Sequence, residues 1–102
     1  MPAAFAATPA ANGLAIEHGR RVFQTWCQAC HGPGADRPGT LGLEAKYNGR
    51  LPALLEERTD LTSEFVKIYV RKGFAMMAPF RKTEISDTDL DALCAYLTRP
   101  RQ

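Results

Sequence analysis

Cys27-Gln28-Ala29-Cys30-His31 places two thiols and an imidazole within five residues. On a helix, side chains three apart share a face. Each thiol can add its sulfur to one of two neighbouring vinyl groups of a haem. His31 then presents a ring nitrogen to the iron from one side. This C-x-x-C-H spacing is the c-type haem attachment sequence. Three other chemistries use paired cysteines. A redox dithiol normally sits in a βαβ pattern, which this chain lacks. A structural zinc ion takes four ligands, and the remaining candidates are His18 and Cys94, with no second paired motif. The third is a simple disulfide between Cys27 and Cys30.

A haem iron held by His31 needs a sixth ligand, whose type decides between electron transfer and chemistry at the metal. Met76-Met77 lies well beyond His31 in an apolar stretch, Gly73-Phe74-Ala75-Met76-Met77-Ala78-Pro79-Phe80, that has no helical period. A thioether favours ferrous iron and raises the potential, which suits an electron carrier. Adjacent residues of an extended segment face opposite ways, so one methionine at most can ligate. Both can instead serve as adaptable core side chains.

Four helical stretches position these groups. The first, about 16–30, carries Ile16, Gly19, Phe23, Trp26, Cys27 and Cys30 on one face. Residues 32–42 are rich in Gly and Pro and read as loop. Asn48-Gly49 is a turn, and Pro52 opens a short helix through about residue 58. The third helix, 63–72, has Thr62 as its N-cap and Gly73 as its stop, with Phe65, Val66, Tyr69 and Val70 as its buried face. The last, about 87–98, opens on a Ser86/Asp89 capping box and turns Leu90, Leu93, Cys94 and Leu97 inward. Cys94 there is a small buried hydrophobe. No alternating stretch makes a strand, so the domain is all-α with long loops. Loops that long in a small domain need something to organise them, and a buried cofactor would do so.

Length and composition set bounds. The chain has 102 residues, 45% apolar and 24% charged, enough for one globular domain. A net charge of +2 is too small for a dedicated nucleic-acid binder. No apolar run reaches the roughly 18 residues of a membrane span. Residues 1–13 read as a disordered Ala/Pro-rich arm, 14–98 as the domain and 99–102 as a polar tail. Ala4-Phe5-Ala6 has the small-x-small form of a signal cleavage site, so the arm is also readable as a signal remnant.

Over about residues 14–98 the sequence resembles a class I cytochrome c. Gly19-Arg20-Arg21-Val22-Phe23 matches the family's Gly-x-x-x-aromatic signature. The resemblance implies that Gly19 lets the last helix cross closely, with Tyr96 as aromatic partner. It also implies that Pro38, or alternatively Pro33, supplies a carbonyl to the Nδ1 proton of His31. Within the family, the segment Val70-Arg71-Lys72-Gly73-Phe74-Ala75-Met76-Met77-Ala78-Pro79-Phe80 is similar to the cytochrome subunit of p-cresol methylhydroxylase-type flavocytochromes, as is residues 51–62. Counting from Gly73 as in those subunits makes Met77 the ligand and Met76 the alternative. Ala78 stands where the family often has proline. The resemblance implies one covalent haem c and a periplasmic electron-transfer protein, not a catalyst. It implies an FAD-containing, 4-alkylphenol-oxidising flavoprotein as partner. A copper protein or another cytochrome would be the downstream acceptor. A free periplasmic shuttle without a permanent partner is the alternative. Arg71, Lys72, Arg81 and Lys82 bracket the methionine loop as a basic docking ring or as a solvated charge pattern. Tyr47, Arg50 and Arg58 are further polar candidates around the haem propionates.

Overall fold

A computed structural model of the chain describes residues 9–34 and 36–100. Among these residues five α-helices run in the order α1 (Pro9–Trp26), α2 (Gln28–His31), α3 (Pro38–Tyr47), α4 (Ser63–Lys72) and α5 (Asp87–Leu97), with a 3-10 turn at Leu55–Glu57. Among the described residues the β pairing is an isolated bridge between Phe74 and Met77. The all-α expectation therefore stands.

The core lies where α1 crosses α5. Phe23 and Leu93 are fully buried there, with Val22, Leu90, Cys94, Tyr96 and Leu97 around them. The crossing depends on Gly19. A Cβ at that position would lie 1.9 Å from the Ala92 carbonyl oxygen and 2.8 Å from Tyr96 Cβ, so only hydrogen fits. Phe23 and Tyr96 then meet with ring centroids 5.9 Å apart. His18 Nε2 and Asp89 Oδ1 join the same two helices at 2.7 Å. The capping box at α5 is consequently only half formed. Ser86 Oγ accepts from Asp89 N–H at 3.0 Å, but the Asp89 carboxylate turns to His18.

α4 has the bounds its caps dictate. Thr62 Oγ1 accepts from Phe65 N–H, and Gly73 ends the helix at φ 69°. Its buried face is narrower than periodicity implies. Val66 and Val70 are buried, whereas Phe65 is 42% exposed. Phe65 instead stacks along the surface on Tyr69, which meets Phe74 edge-on.

Three elements differ from the sequence reading. α1 starts at Pro9, inside the stretch read as a disordered arm. Proline is compatible with a first helical turn, and alanine has the highest helix propensity, so Pro9-Ala10-Ala11 is a workable start. The Ala4-Phe5-Ala6 reading lies outside the described residues. A second difference is α3, which occupies much of the stretch read as loop. Pro38 is at its first turn, and Gly39 packs against His31. The expected helix from Pro52 is reduced to the single 3-10 turn.

Candidate haem-attachment site

α1 ends at Trp26. Cys27, at φ −114° and ψ −31°, starts the short helix α2 that carries Cys30 and His31. The backbone is nearly continuous across the break: Cys27 N–H donates to Phe23 O at 2.8 Å, and His31 N–H to Cys27 O at 2.8 Å. The two thiols are free and differ in setting, Cys27 packed against the core and Cys30 exposed. Burial, followed by the charges of Cys30 and Glu56, pushes the Cys27 thiol up to about 12. A reactive redox dithiol needs the opposite shift, toward the thiolate. Zinc fares no better. Among the described residues no three His, Cys, Asp or Glu side chains gather as a metal site. His18 is committed to Asp89, and buried Cys94 donates to Ser63 O at 3.7 Å.

His31 is the unsatisfied group of the site. Among the described residues its Nδ1 is buried with no hydrogen-bond partner. Burial also lowers its pKa, so the ring is neutral at neutral pH, the form that ligates metals. α3 presses on it. A Cβ at Gly39 would lie 2.9 Å from His31 Cε1 and 3.0 Å from Nδ1, so this helix position has to be glycine. Thr40, buried beside it, donates its hydroxyl to Gly32 O at 2.8 Å and fastens the loop after His31 to the start of α3. The expected carbonyl bond from Pro38 is not made, and Pro33 does not supply it either. Pro38 is instead the first residue of α3.

The methionines sit on a two-residue turn. Phe74 and Met77 exchange backbone hydrogen bonds of 3.0 and 2.9 Å, with Ala75 and Met76 at the tip. Ala75 is left-handed at φ 56°. Met76 is 97% exposed, while Met77 is partly buried. Phe80 anchors the far end of this segment: its N–H donates to Val70 O at 2.7 Å, and its ring meets Trp26 edge-on at 5.9 Å. Trp26 is the residue before Cys27, so this contact joins the methionine segment to the attachment motif. Lys46 of α3 closes the ring from the other side, its Nζ 5.7 Å from the Phe74 centroid. A depression of about 590 Å³ bordered by Glu44, Arg50, Leu51 and Glu57 lies elsewhere and contains none of the motif residues.

The charges around this segment sort differently from a uniform basic ring. Arg71 Nη1 donates to the carbonyls of Phe80 at 3.2 Å and Ile85 at 2.8 Å, and Nη2 to Asp87 at 2.9 Å. It is a strap across the base of the methionine segment. Arg81 and Lys82 pair with Glu84 and Asp87 on the surface. Arg58 is 4% exposed, held bidentately by Asp60 at 2.6 and 2.7 Å, and donates to the Tyr47 hydroxyl at 2.8 Å. The Asp60 and Tyr47 bonds hold its guanidinium firmly charged, against the cost of burial. Sequence reasoning gave Arg58 no special place and missed the roles of Thr40 and Arg71. A lone arginine or threonine carries no local signal of the carbonyl it will meet.

Free thiols at the attachment spacing, a neutral buried imidazole with no partner among the described residues and a partly buried methionine on the segment joined to the motif by Phe80 and Trp26 are the chemistry a covalent haem takes. The family model described as "Cytochrome C oxidase, cbb3-type, subunit III" matches residues 14–97. No curated protein and no solved structure matches the chain.

Proposed function

The chain belongs to that family of c-type cytochrome domains, and on this premise we propose that it is a mono-haem, single-electron carrier serving a phenol-oxidising flavoprotein. Family membership implies covalent haem c and electron transfer. The attachment through Cys27 and Cys30, the ligation by His31 and Met77, and the partner are the proposal. The buried, partnerless Nδ1 of His31 at the end of C-x-x-C-H is the observation that carries it.

A haem bound here supplies a one-electron couple. The protein's part is to hold and shield it. Cys27 and Cys30 fix it covalently at the end of α1. Gly39 packs on the Cε1–Nδ1 edge of His31, which leaves Nε2 for the iron. Partial burial favours Met77 over Met76 as the methionine that would ligate, and Arg71 and Phe80 keep that segment from swinging away.

The partner is an FAD-containing flavoprotein that oxidises a 4-alkylphenol at its benzylic carbon. Its reduced flavin holds two electrons, which this chain accepts singly and passes to a copper protein or another cytochrome. The sequence of residues 70–80 supports that choice. Periplasmic placement agrees with a third cysteine, Cys94, that is 2% exposed and so protected from oxidative coupling. Among the described residues no helix is long and apolar enough to cross a membrane. A second reading, a free periplasmic shuttle without a permanent partner, fits the family model equally.

One visible spectrum across the gel-filtration peak of native protein tests both. Haem with flavin, in a peak much larger than this chain, is the expected result. Haem alone at the monomer position would replace the flavocytochrome reading by the shuttle. A colourless peak would overturn the haem assignment.

A further inference from the structure

We propose that Thr40 is the positioning residue for His31: its hydroxyl, donated to the Gly32 carbonyl, clamps the first turn of α3 onto the attachment motif, so that Gly39 seats one edge of the imidazole and fixes the plane of the ring. The inference rests on the haem reading above and adds to it the residue that orients the iron's histidine.

A histidine ring turns easily about its Cβ–Cγ bond, so a ligating imidazole needs something to hold its plane. The usual device is a hydrogen bond from the second ring nitrogen. Among the described residues His31 Nδ1 makes none. α2 offers little rigidity of its own. It has four residues, fewer than a helix needs to persist alone, and His31 is its last. The ring is therefore held by packing, and α3 is packed on it. A Cβ at Gly39 would meet His31 Cε1 at 2.9 Å, Nδ1 at 3.0 Å and the Cys30 carbonyl oxygen at 2.7 Å. The helix backbone thus lies directly on the ring and on the motif.

Thr40 keeps α3 in that place. It is the buried side chain of this helix, 5% exposed, whereas the next residue, Leu41, is 44% exposed. Its hydroxyl donates to the carbonyl of the buried Gly32 at 2.8 Å, with the Cys30 carbonyl oxygen at 3.5 Å. Gly32 directly follows His31, so the clamp closes one residue from the ligand. Arg37, just before the helix, reaches the Ala29 and Pro33 carbonyls at 3.4 Å each, long bonds on the surface. The other attachments of α3 are Lys46 over Phe74 and the Tyr47 hydroxyl with Arg58. They lie about two turns from Gly39, at the far end of the helix. At the histidine end, the threonine hydroxyl is the anchor.

The test is the electron paramagnetic resonance spectrum of the oxidised, haem-loaded protein, whose low-spin g values depend on the plane of the axial imidazole. Thr40→Val keeps the branched shape and removes the hydroxyl, so the low-field line broadens as the ring samples a range of planes. Thr40→Ser keeps the hydroxyl and gives the narrow line of the parent. Thermal unfolding is followed beside it by circular dichroism, because a purely structural Thr40 would lower the melting temperature and leave the line width alone. An unchanged line in Thr40→Val, or an equally broadened line in Thr40→Ser, would overturn the inference and leave the cytochrome reading intact. Should Thr40→Val not retain haem, Thr40→Ala, which adds no bulk, is read against Thr40→Ser in the same way. Loss of haem from Thr40→Ser as well would equally sink the proposal, since the hydroxyl would then not suffice. A parent protein without haem would overturn both this inference and the reading it rests on.

Discussion

At the residue scale, one turn gives the two adjacent methionines opposite settings. Met76 occupies the exposed tip, and Met77 re-enters the backbone pairing with Phe74. Met77→Ala should abolish the sulfur–iron absorption band of the oxidised protein, and Met76→Ala should leave it. The reverse pattern in the two spectra would exchange their roles. The turn itself stores strain. Ala75 sits at φ 56°, where an L-residue with a Cβ is disfavoured by about 1–2 kcal/mol. Ala75→Gly removes that clash but adds chain entropy to the unfolded state, so the net gain should be smaller, about 0.5–1 kcal/mol by denaturant titration. A loss of stability would show that the alanine side chain makes contacts worth more than the strain it carries.

At the element scale, the helix boundaries that were legible in the sequence are those with caps. Thr62, Gly73 and Ser86 each act within three or four residues of themselves, so their effect is encoded locally. α3 was illegible for the complementary reason. Its Gly and Pro content argues against a helix in isolation, and only the approach of His31 shows why position 39 lacks a side chain. The α1–α5 crossing is the most sensitive joint. Gly19→Ala would drive a methyl into the Ala92 carbonyl, and the helices must separate. We expect a loss of about 3 kcal/mol, read by thermal or denaturant unfolding. Arg71→Ala should act differently. It releases the methionine segment from Phe80, Ile85 and Asp87, so the sulfur–iron band should bleach on warming well before the helical circular dichroism is lost. Simultaneous loss of both signals would mean that Arg71 supports the whole fold rather than the segment.

At the scale of the whole molecule, a buried ionic knot ties the α3 end of the chain to the approach to α4. Arg58 is nearly inaccessible, and Asp60 is the partner that makes its burial tolerable. Removing one member leaves a desolvated charge, so Asp60→Ala should cost about 3 kcal/mol although the aspartate itself is half exposed. The hydrogen bond from Arg58 holds the Asp60 carboxyl below its ordinary value. The folded state therefore keeps this group ionised to lower pH than the unfolded chain does. Its contribution is complete above about pH 4, the unfolded value, and disappears as pH falls through the lower folded value. Thermal melts of the parent protein should lose stability over that acid range. Asp60→Asn, already destabilised, should show a flatter dependence there, and an equal slope in both would remove Asp60 from the account.

The sequence by itself determined the attachment motif, the all-α class, the bounds of α4, the start and inward face of α5 and the close crossing at Gly19. Each of these depends on spacing over a few residues or on a family signature that the sequence displays directly. Tertiary structure alone decided that Pro38 is a helix residue and that, among the described residues, His31 Nδ1 has no hydrogen-bond partner. It also decided that Asp89 reaches His18 across 71 positions, that Tyr96 reaches Glu56 across 40, and that Arg71 reaches Asp87 across 16. Hydrophobic period and capping chemistry report only on neighbours along the chain. A hydrogen bond between distant residues leaves no such mark, because its partners are brought together by the packing of helices that each end of the bond does nothing to encode.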